Sequence, residues 1–599
     1  MGYTALRVPQ IKANVKQPTT TFDKITLDLK DLPQLMSPKA ALQITNYVQT
    51  YDGGLMKRRG IKSILEAAGV YPVTMLFSYT ADIWIFGYNT TVAAYQVSTD
   101  TVTNIKTNFA AGSFTGVRYG DYAFVCNKTE AIGRLSRTLA YDTQTANFTV
   151  NKIVTGQTSG ATAVILQDSD SGVTGTLTLG DIQGTFQDNE IITDSSGGSA
   201  TANGTVTWTY TSVSGAPTCG VLATSGGRLF AGDLSDDSSG VKYSDQDTGA
   251  NPPFQNWTTG TGGADPGKVF YRASGQVKAI NFLGSNVVVL AAQGKWSFTI
   301  TTNNINGTIY KVDQWVLQRV DMGGCRASVV TPKGMIYANK GGMWRIASLG
   351  QSNVPYSEQE DDPATLLGSD YFVNVNLDDA DIIYDARVDS VYLTVAKDSD
   401  VNNYVVCLNL TTGTMSEFTG WNINRFMNIN QTIYGASANT VTIYECMAGY
   451  DDDGTDIWTY FYQELQTGNL ETRKKMTKQY MDAFVVPNAP LQVAFDIYDV
   501  QGNFVANKLG MEFVCTNAPG SGDGYGQLPY GSGSFGGDED LAGMIEYFDG
   551  GSGFIRNYQR LRVKILGHDK FPHKLVWIKE YSEEKLVPIR KRSMIQTTS

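Results

Sequence analysis

The sequence predicts an all-β protein: a β-propeller carrying an inserted small β module, with a second β-rich platform domain drawn from the two chain ends. Three observations carry this. The 599 residues are 42% hydrophobic and only 18% charged, with 62 Gly, 32 Tyr, 25 Phe and 9 Trp, a composition that suits turns and half-buried pleated surfaces better than helices. A turn–strand–turn–strand pattern keeps returning between residues 71 and about 450. Both ends are basic around an acidic middle: residues 1–70 hold ten Lys/Arg against five Asp/Glu, and 551–599 hold eleven against four.

The first element, 1–70, is expected to be the N-terminal part of the platform. It contains Tyr51 to Gly60 with the basic run Lys57-Arg58-Arg59, then a short helix-compatible run near Ile61 to Ala68.

The propeller is expected over 71–455. Apolar strands start at Asp82, Asp121, Gly227, Ser285, Gly334, Asp389 and Gln431, and their spacing runs from 39 to 58 residues apart from one step of 106. A four-stranded blade takes roughly 40–50 residues. Within the long step, 150–209 is Gly/Thr-rich and repeats itself: Val154 to Val164 is echoed 38 positions later by Ile192 to Ala202. Taking out these 60 residues brings the step to 46, so the segment is expected to be an insertion in a blade loop, where extra length costs least. Tyr404–Leu410 with Met415–Phe418, and Tyr95 with Val102, suit the outer hairpins of blades.

Residues 456–599 are expected to form the C-terminal part of the platform domain. Trp458–Gln463, Ala483–Val486, Leu491–Tyr498, Gln559–Leu566 and Lys574–Lys579 read as strands, and Arg473–Tyr480 as a basic stretch. Ring closure brings the start and end of a propeller together, so both ends are expected in one domain.

Chemistry-bearing residues narrow the function. A net charge of −11 does not fit a chain that grips nucleic acid through neutralised phosphates. No stretch reaches the roughly 18 apolar residues of a membrane span, and Met1 to Arg7 lacks the apolar region of a secretion signal, so no membrane segment is expected. Cys126, Cys219, Cys325, Cys407, Cys446 and Cys515 are widely spaced and read as buried thiols. The two histidines, His568 and His573, sit in a strand-like segment, which argues against a zinc hydrolase or a His-based triad. Gly226-Gly227, Gly323-Gly324 and Gly341-Gly342 are not followed by Lys-Ser/Thr and read as turns rather than phosphate cradles. The acidic runs Asp236-Asp237, Glu358 to Asp362, Asp378-Asp379 and Asp451 to Asp453 suit solvated turns. They also leave open an alternative, a carbohydrate-binding or carbohydrate-cleaving propeller. No catalytic, cofactor-binding or metal-binding residue is assigned, and no enzyme is expected.

Three segments resemble the tail nozzle proteins of short-tailed bacteriophages, also called tail tubular protein B or packaged-DNA stabilisation protein. Gly53-Gly54-Leu55-Met56-Lys57-Arg58-Arg59-Gly60 is similar to the G-x-L-x-K/R-R-x-G run near the start of that family, with Arg59 where Pro is more usual. Val241-Lys242-Tyr243-Ser244-Asp245, continuing to Pro253 and Asn256-Trp257, is similar to its Y-S-D…P…W segment. Ser159-Gly160-Ala161-Thr162-Ala163 looks like a β insertion met in phage structural proteins. The resemblance implies a virion protein made in the host cytoplasm: a homo-hexameric ring below the portal and adaptor that carries tail fibres or spikes. Packaged double-stranded DNA would be retained by it and pass through its channel without sequence specificity. Lys57, Arg58 and Arg59 are then candidate platform contacts. In the Gly-rich loop Pro519 to Gly537, Tyr525, Tyr530 and Phe535 are candidate gate residues, hinged by glycines that absorb backbone changes.

Overall fold

The computed structural model describes residues 19–21, 26–27, 40–50, 54–247, 249, 251–259, 265–305, 308–318, 324–349, 355–359, 372, 375–465, 473–485, 490–498, 504–514, 542–549, 555–558, 560–569 and 573–585. Within these the fold is all-β. No helix among the described residues is long and apolar enough to cross a membrane.

Each expected apolar strand becomes the second strand of an antiparallel sheet: Ile83–Tyr88, Tyr122–Cys126, Arg228–Leu234, Asn286–Ala291, Gly334–Asn339, Ser390–Lys397 and Thr432–Ser437. These strands read as continuous apolar runs because both of their faces are covered. Asn286–Ala291 and Tyr122–Cys126, for example, are buried at every position. The outermost strand of the first sheet, Thr101–Lys106, has no buried position. Tight turns join the strands. Gly226 and Gly227 have φ of +58° and +70°, the left-handed pair needed to connect Ser225 to Arg228 in two residues.

The seven sheets stand in a ring. The first strands are Val73–Ser78, Thr115–Tyr119, Cys219–Ser225, Val277–Leu283, Ser328–Thr331, Ile382–Asp385 and Ile423–Ile429. Each packs against the first strands of its two neighbours, and the seventh returns to the first. A separate apolar core fills each gap between neighbouring sheets. Ile85, Phe114 and Val125 lie between the first and second, Trp296, Phe230 and Val289 between the third and fourth, and Trp84, Phe86 and Ile443 between the seventh and first. At about 1.5–3 kcal/mol per fully buried large aliphatic or Phe side chain, these cores make face-to-face packing the main cohesive force of the ring. Between the second and third sheets, the buried thiols of Cys126 and Cys219 lie 3.1 Å apart. Cys325, Cys407 and Cys446 are likewise free and buried, and Cys515 lies outside the described residues.

Closure of the ring corrects one expectation. Ile61–Glu66 is a strand, not a helix, and it pairs antiparallel with Thr442–Cys446 as the fourth strand of the seventh sheet. Its helix-compatible residues are overridden by burial of Ile61 and Leu65 in cores shared with that sheet. Residues 61–66 therefore belong to the ring, inside the stretch expected to be platform.

The second sheet carries the insertion. Its third strand, Gly133–Ala146, runs past the sheet and joins Gly175–Gln183, Thr162–Asp170, Ile153–Gly156, Ile191–Asp194 and Ser199–Ala202 in a closed six-stranded barrel. The barrel encloses Leu139, Ile165, Leu177, Leu179, Phe186 and Ile192. The internal repeat is a pair of hairpins side by side, with Val154 opposite Asp194. One hairpin loop is held by Glu190, whose carboxylate accepts the N–H groups of Thr158, Ser159 and Gln187. Asp194 accepts those of Thr149, Ser196 and Gly198 and so holds the other loop. The barrel reaches back before residue 150, and Thr207–Ser212 pairs with Gly133–Thr138 as the outer strand of the second sheet, so its span is offset from 150–209.

The two ends share sheets. His573–Lys585 pairs with Thr19–Thr21, Leu55–Lys57 and Arg473–Val485. Thr455–Leu465 pairs with Gln43–Thr45 and with Arg560–Asp569. The basic stretch Arg473–Tyr480 is part of one long strand that continues to Val485. Thr45 also bridges to Glu417, which joins this end-derived body to the sixth sheet.

Candidate functional site

The basic run of the N-terminal segment lies where the end-derived sheets meet the ring. Leu55–Lys57 is a short strand between Tyr47–Gln49 and His573–Lys585, and the chain leaves it through Arg58 and Arg59 towards the seventh sheet. Lys57 and Arg58 are fully buried, whereas Arg59 is exposed with its guanidinium 5.6 Å from the centre of the Tyr450 ring.

A buried guanidinium is tolerated only when paired and hydrogen-bonded. All five N–H donors of Arg58 are used. Nε donates to Asn46 Oδ1 at 2.8 Å, Nη1 to the Arg59 carbonyl at 3.0 Å and Asp452 Oδ1 at 2.8 Å, and Nη2 to the Thr419 carbonyl and Asp452 Oδ2, both at 2.6 Å. The guanidinium carbon lies 5.5 Å from the centre of the Phe418 ring and 5.2 Å from that of Trp421. Asn46 completes the network in a left-handed conformation, φ +59°. Its side chain accepts from Thr419 N–H at 2.9 Å and donates to the Thr419 hydroxyl and the Trp458 carbonyl. One arginine thus ties together the N-terminal segment, the end of the sixth sheet and the loop that leads out of the ring.

A second buried group lies next to it. His573, fully buried on its strand, has Nε2 at 3.0 Å from the Tyr47 hydroxyl and 3.1 Å from the Thr459 hydroxyl. Burial, with the Lys57 charge adding to it, lowers its pKa to about 3. It is therefore a neutral structural imidazole spanning the N-terminal segment and two C-terminal strands. His568 is the register partner of Trp458 in the neighbouring strand pair. An apolar cavity of about 650 Å³ adjoins the junction, with Tyr47, Val48 and Leu55 on one side and Tyr392, Cys407 and Met415 of the sixth sheet on the other.

On the ring side, Arg425 fastens the seventh sheet to the first. Its guanidinium donates to the carbonyls of Thr74 and Asp379 at 2.8 Å each, while Asn424 Nδ2 donates to the Val73 carbonyl at 2.9 Å. Two of the four acidic runs are committed to such contacts. Asp452 holds Arg58, Asp453 accepts from the Ser63 backbone and hydroxyl, and Asp451 caps Gly454 N–H. Asp236 and Asp237 face Lys242 and Lys268. No group of three or more metal-ligating side chains occurs among the described residues. Tyr525, Tyr530 and Phe535 lie outside the described residues.

Sequence reasoning singled out Arg58 but missed Asn46, Asp452, His573 and Arg425 as its structural equals. Nothing local marks them; each acts through partners hundreds of positions away.

No family model matches this chain, and no curated protein matches it. Solved structures similar to parts of it include the computationally designed Ika8 protein, at 9% identity and TM-score 0.30, over 65% of this chain and 99% of that one. A chain of the mitotic checkpoint complex aligns at 8% identity and TM-score 0.35, over 65% and 93%. Hsv2 of Kluyveromyces lactis aligns at 9% identity and TM-score 0.25, over 58% and 97%.

Proposed function

We propose that this chain is a structural virion protein, the nozzle of a short phage tail, in which a seven-bladed propeller stands beside a platform woven from both chain ends. The observation that carries the reading is the junction at Arg58. It couples the ring to the platform through a saturated buried network, as suits a subunit that transmits load instead of turning over a substrate. The seven four-stranded sheets, with a core in each gap between neighbours and the ring closed by Ile61–Glu66, support the propeller reading, since radial repetition leaves only short, protected edges. The acidic balance supports a conduit that lets double-stranded DNA slide past without gripping its phosphates. The partners on this reading are copies of the same chain in a hexamer, a portal or adaptor ring and tail fibres or spikes, and the location is the virion.

The test is electron microscopy of the purified protein mixed with a portal complex. Six-fold rings seated on the portal, with density for propellers at the periphery, are the expected result. A monomer that leaves the portal bare, at concentrations where tail proteins assemble, overturns the reading.

A further inference from the structure

A cavity of about 460 Å³ opens where the fourth, fifth and sixth sheets of the ring meet, within the roughly 300–1,000 Å³ typical of small-molecule sites. Its lining includes Lys278, Arg326 and Lys340 together with Asn339, Asn376 and Asp378. None of the three cations has a hydrogen-bond or ion-pair partner among the described residues. The two amides are turned to donate. Asn339 Oδ1 already accepts from Gly341 N–H and Trp344 Nε1, both at 2.8 Å, and Asn376 Oδ1 accepts from Asp378 N–H at 2.9 Å. Their NH₂ groups remain unpartnered among the described residues.

Arg326 is the central member. It is only partly exposed, and its nearest carboxylates, Asp379 and Asp381, favour its charge from a distance without forming an ion pair with it. Asp379 lies 3.5 Å from Arg425, and Asp381 accepts Phe426 N–H at 2.7 Å. Burial, with the like charge of Arg425 adding to it, draws the Arg326 pKa down to about 10. A partly buried guanidinium without a direct ion-pair partner among the described residues is costly, and a bound anion lowers that cost while gaining charge-assisted hydrogen bonds. Asp378, exposed in the same lining, can accept from hydroxyl groups.

We propose that this cavity binds a small hydroxylated anion, a sugar acid or a sugar phosphate, with Arg326 and the two lysines on the charged group, the amides of Asn339 and Asn376 donating, and Asp378 on a hydroxyl. The site belongs to the ring sheets and is independent of the Arg58 junction and of assembly into a tail.

The experiment is calorimetric titration of the full-length protein with glucuronate, glucose 6-phosphate, inorganic phosphate and glucose. Binding of at least one of the anions, with glucose silent, is expected. Glucuronate alone would identify a carboxylate ligand, and the two phosphates alone a phosphate ligand. Arg326→Gln is expected to weaken binding at least about 10-fold, the loss of one or two charge-assisted hydrogen bonds. Lys340→Gln, at an exposed turn position, is expected to weaken it by a smaller factor at an unchanged melting temperature. Absence of heat from every anion, glucose binding as tightly as glucuronate, or full affinity in Lys340→Gln and a folded Arg326→Gln would each overturn the proposal.

Discussion

Arg58 and Asp452, 394 positions apart, meet in a two-pronged ion pair of 2.8 and 2.6 Å, with the guanidinium wholly buried. Removing one partner leaves an uncompensated buried charge. Arg58→Met or Asp452→Leu alone is therefore expected to cost about 3–5 kcal/mol, and the double replacement much less than the sum. Urea denaturation of the three variants measures this. Single-variant losses below about 1 kcal/mol, the range of an exposed pair, would refute the fastening role.

His573 makes the junction sensitive to acid. Its pKa is about 3 in the fold against 6.5 in an ordinary setting, so the unfolded chain takes up a proton that the folded chain refuses. The stability this contributes is complete above about pH 6.5 and falls as the pH drops towards 3, by up to about 1.4 kcal/mol per pH unit. Melting curves from pH 7 to 4 are expected to fall more steeply for the native protein than for His573→Gln. Parallel curves would show that the imidazole is already charged in the fold.

Gly60 is expected to tolerate no side chain. Its backbone lies against that of residues 448–451, donating to the Gly449 carbonyl and accepting from Ala448 N–H, and a Cβ there would collide with the carbonyl of Asp451. Gly60→Ala must push apart the strand exit and the loop that presents Asp452, at a cost of about 3 kcal/mol or more. A native melting temperature in this variant would count against so close an approach.

The barrel should be removable. Thr138 faces Thr207 in the second sheet, so replacing 139–206 with Asn-Gly leaves a hairpin closed by a favoured two-residue turn. The shortened protein is expected to be soluble and to keep the near-ultraviolet dichroism of the ring tryptophans. Aggregation on expression would mean that the barrel supports the ring.

Local chemistry made the second strand of every ring sheet legible. Segments such as Ile83-Trp84-Ile85-Phe86 and Val287 to Ala291 are apolar throughout because they are covered on both faces, and Gly or Asp lies near their ends. Arg473 to Lys478 was harder to assign, because a basic run in a broad sheet lacks clean alternation. Ile61 to Glu66 is ambiguous in sequence because the fourfold spacing of Ile61 and Leu65 fits a helix as well as a strand packed between two cores. Pairings were least legible of all. Asn46 looks like any loop asparagine until Thr419 and Trp458 are brought beside it, and Asp452 is one of three adjacent aspartates.

Ile61–Glu66 emerges from the ribosome long before Thr442–Cys446, the strand it pairs with. Until then its edge has no ladder partner, and the first sheet must form without the neighbour that covers Trp84 and Phe86. Long-range pairing of this kind slows folding and prolongs the exposure of unpaired edges. Synthesis therefore sets a waiting time on this protein: the ring stays an open arc until nearly three-quarters of the chain exists, and whatever shields that arc from other chains determines the yield.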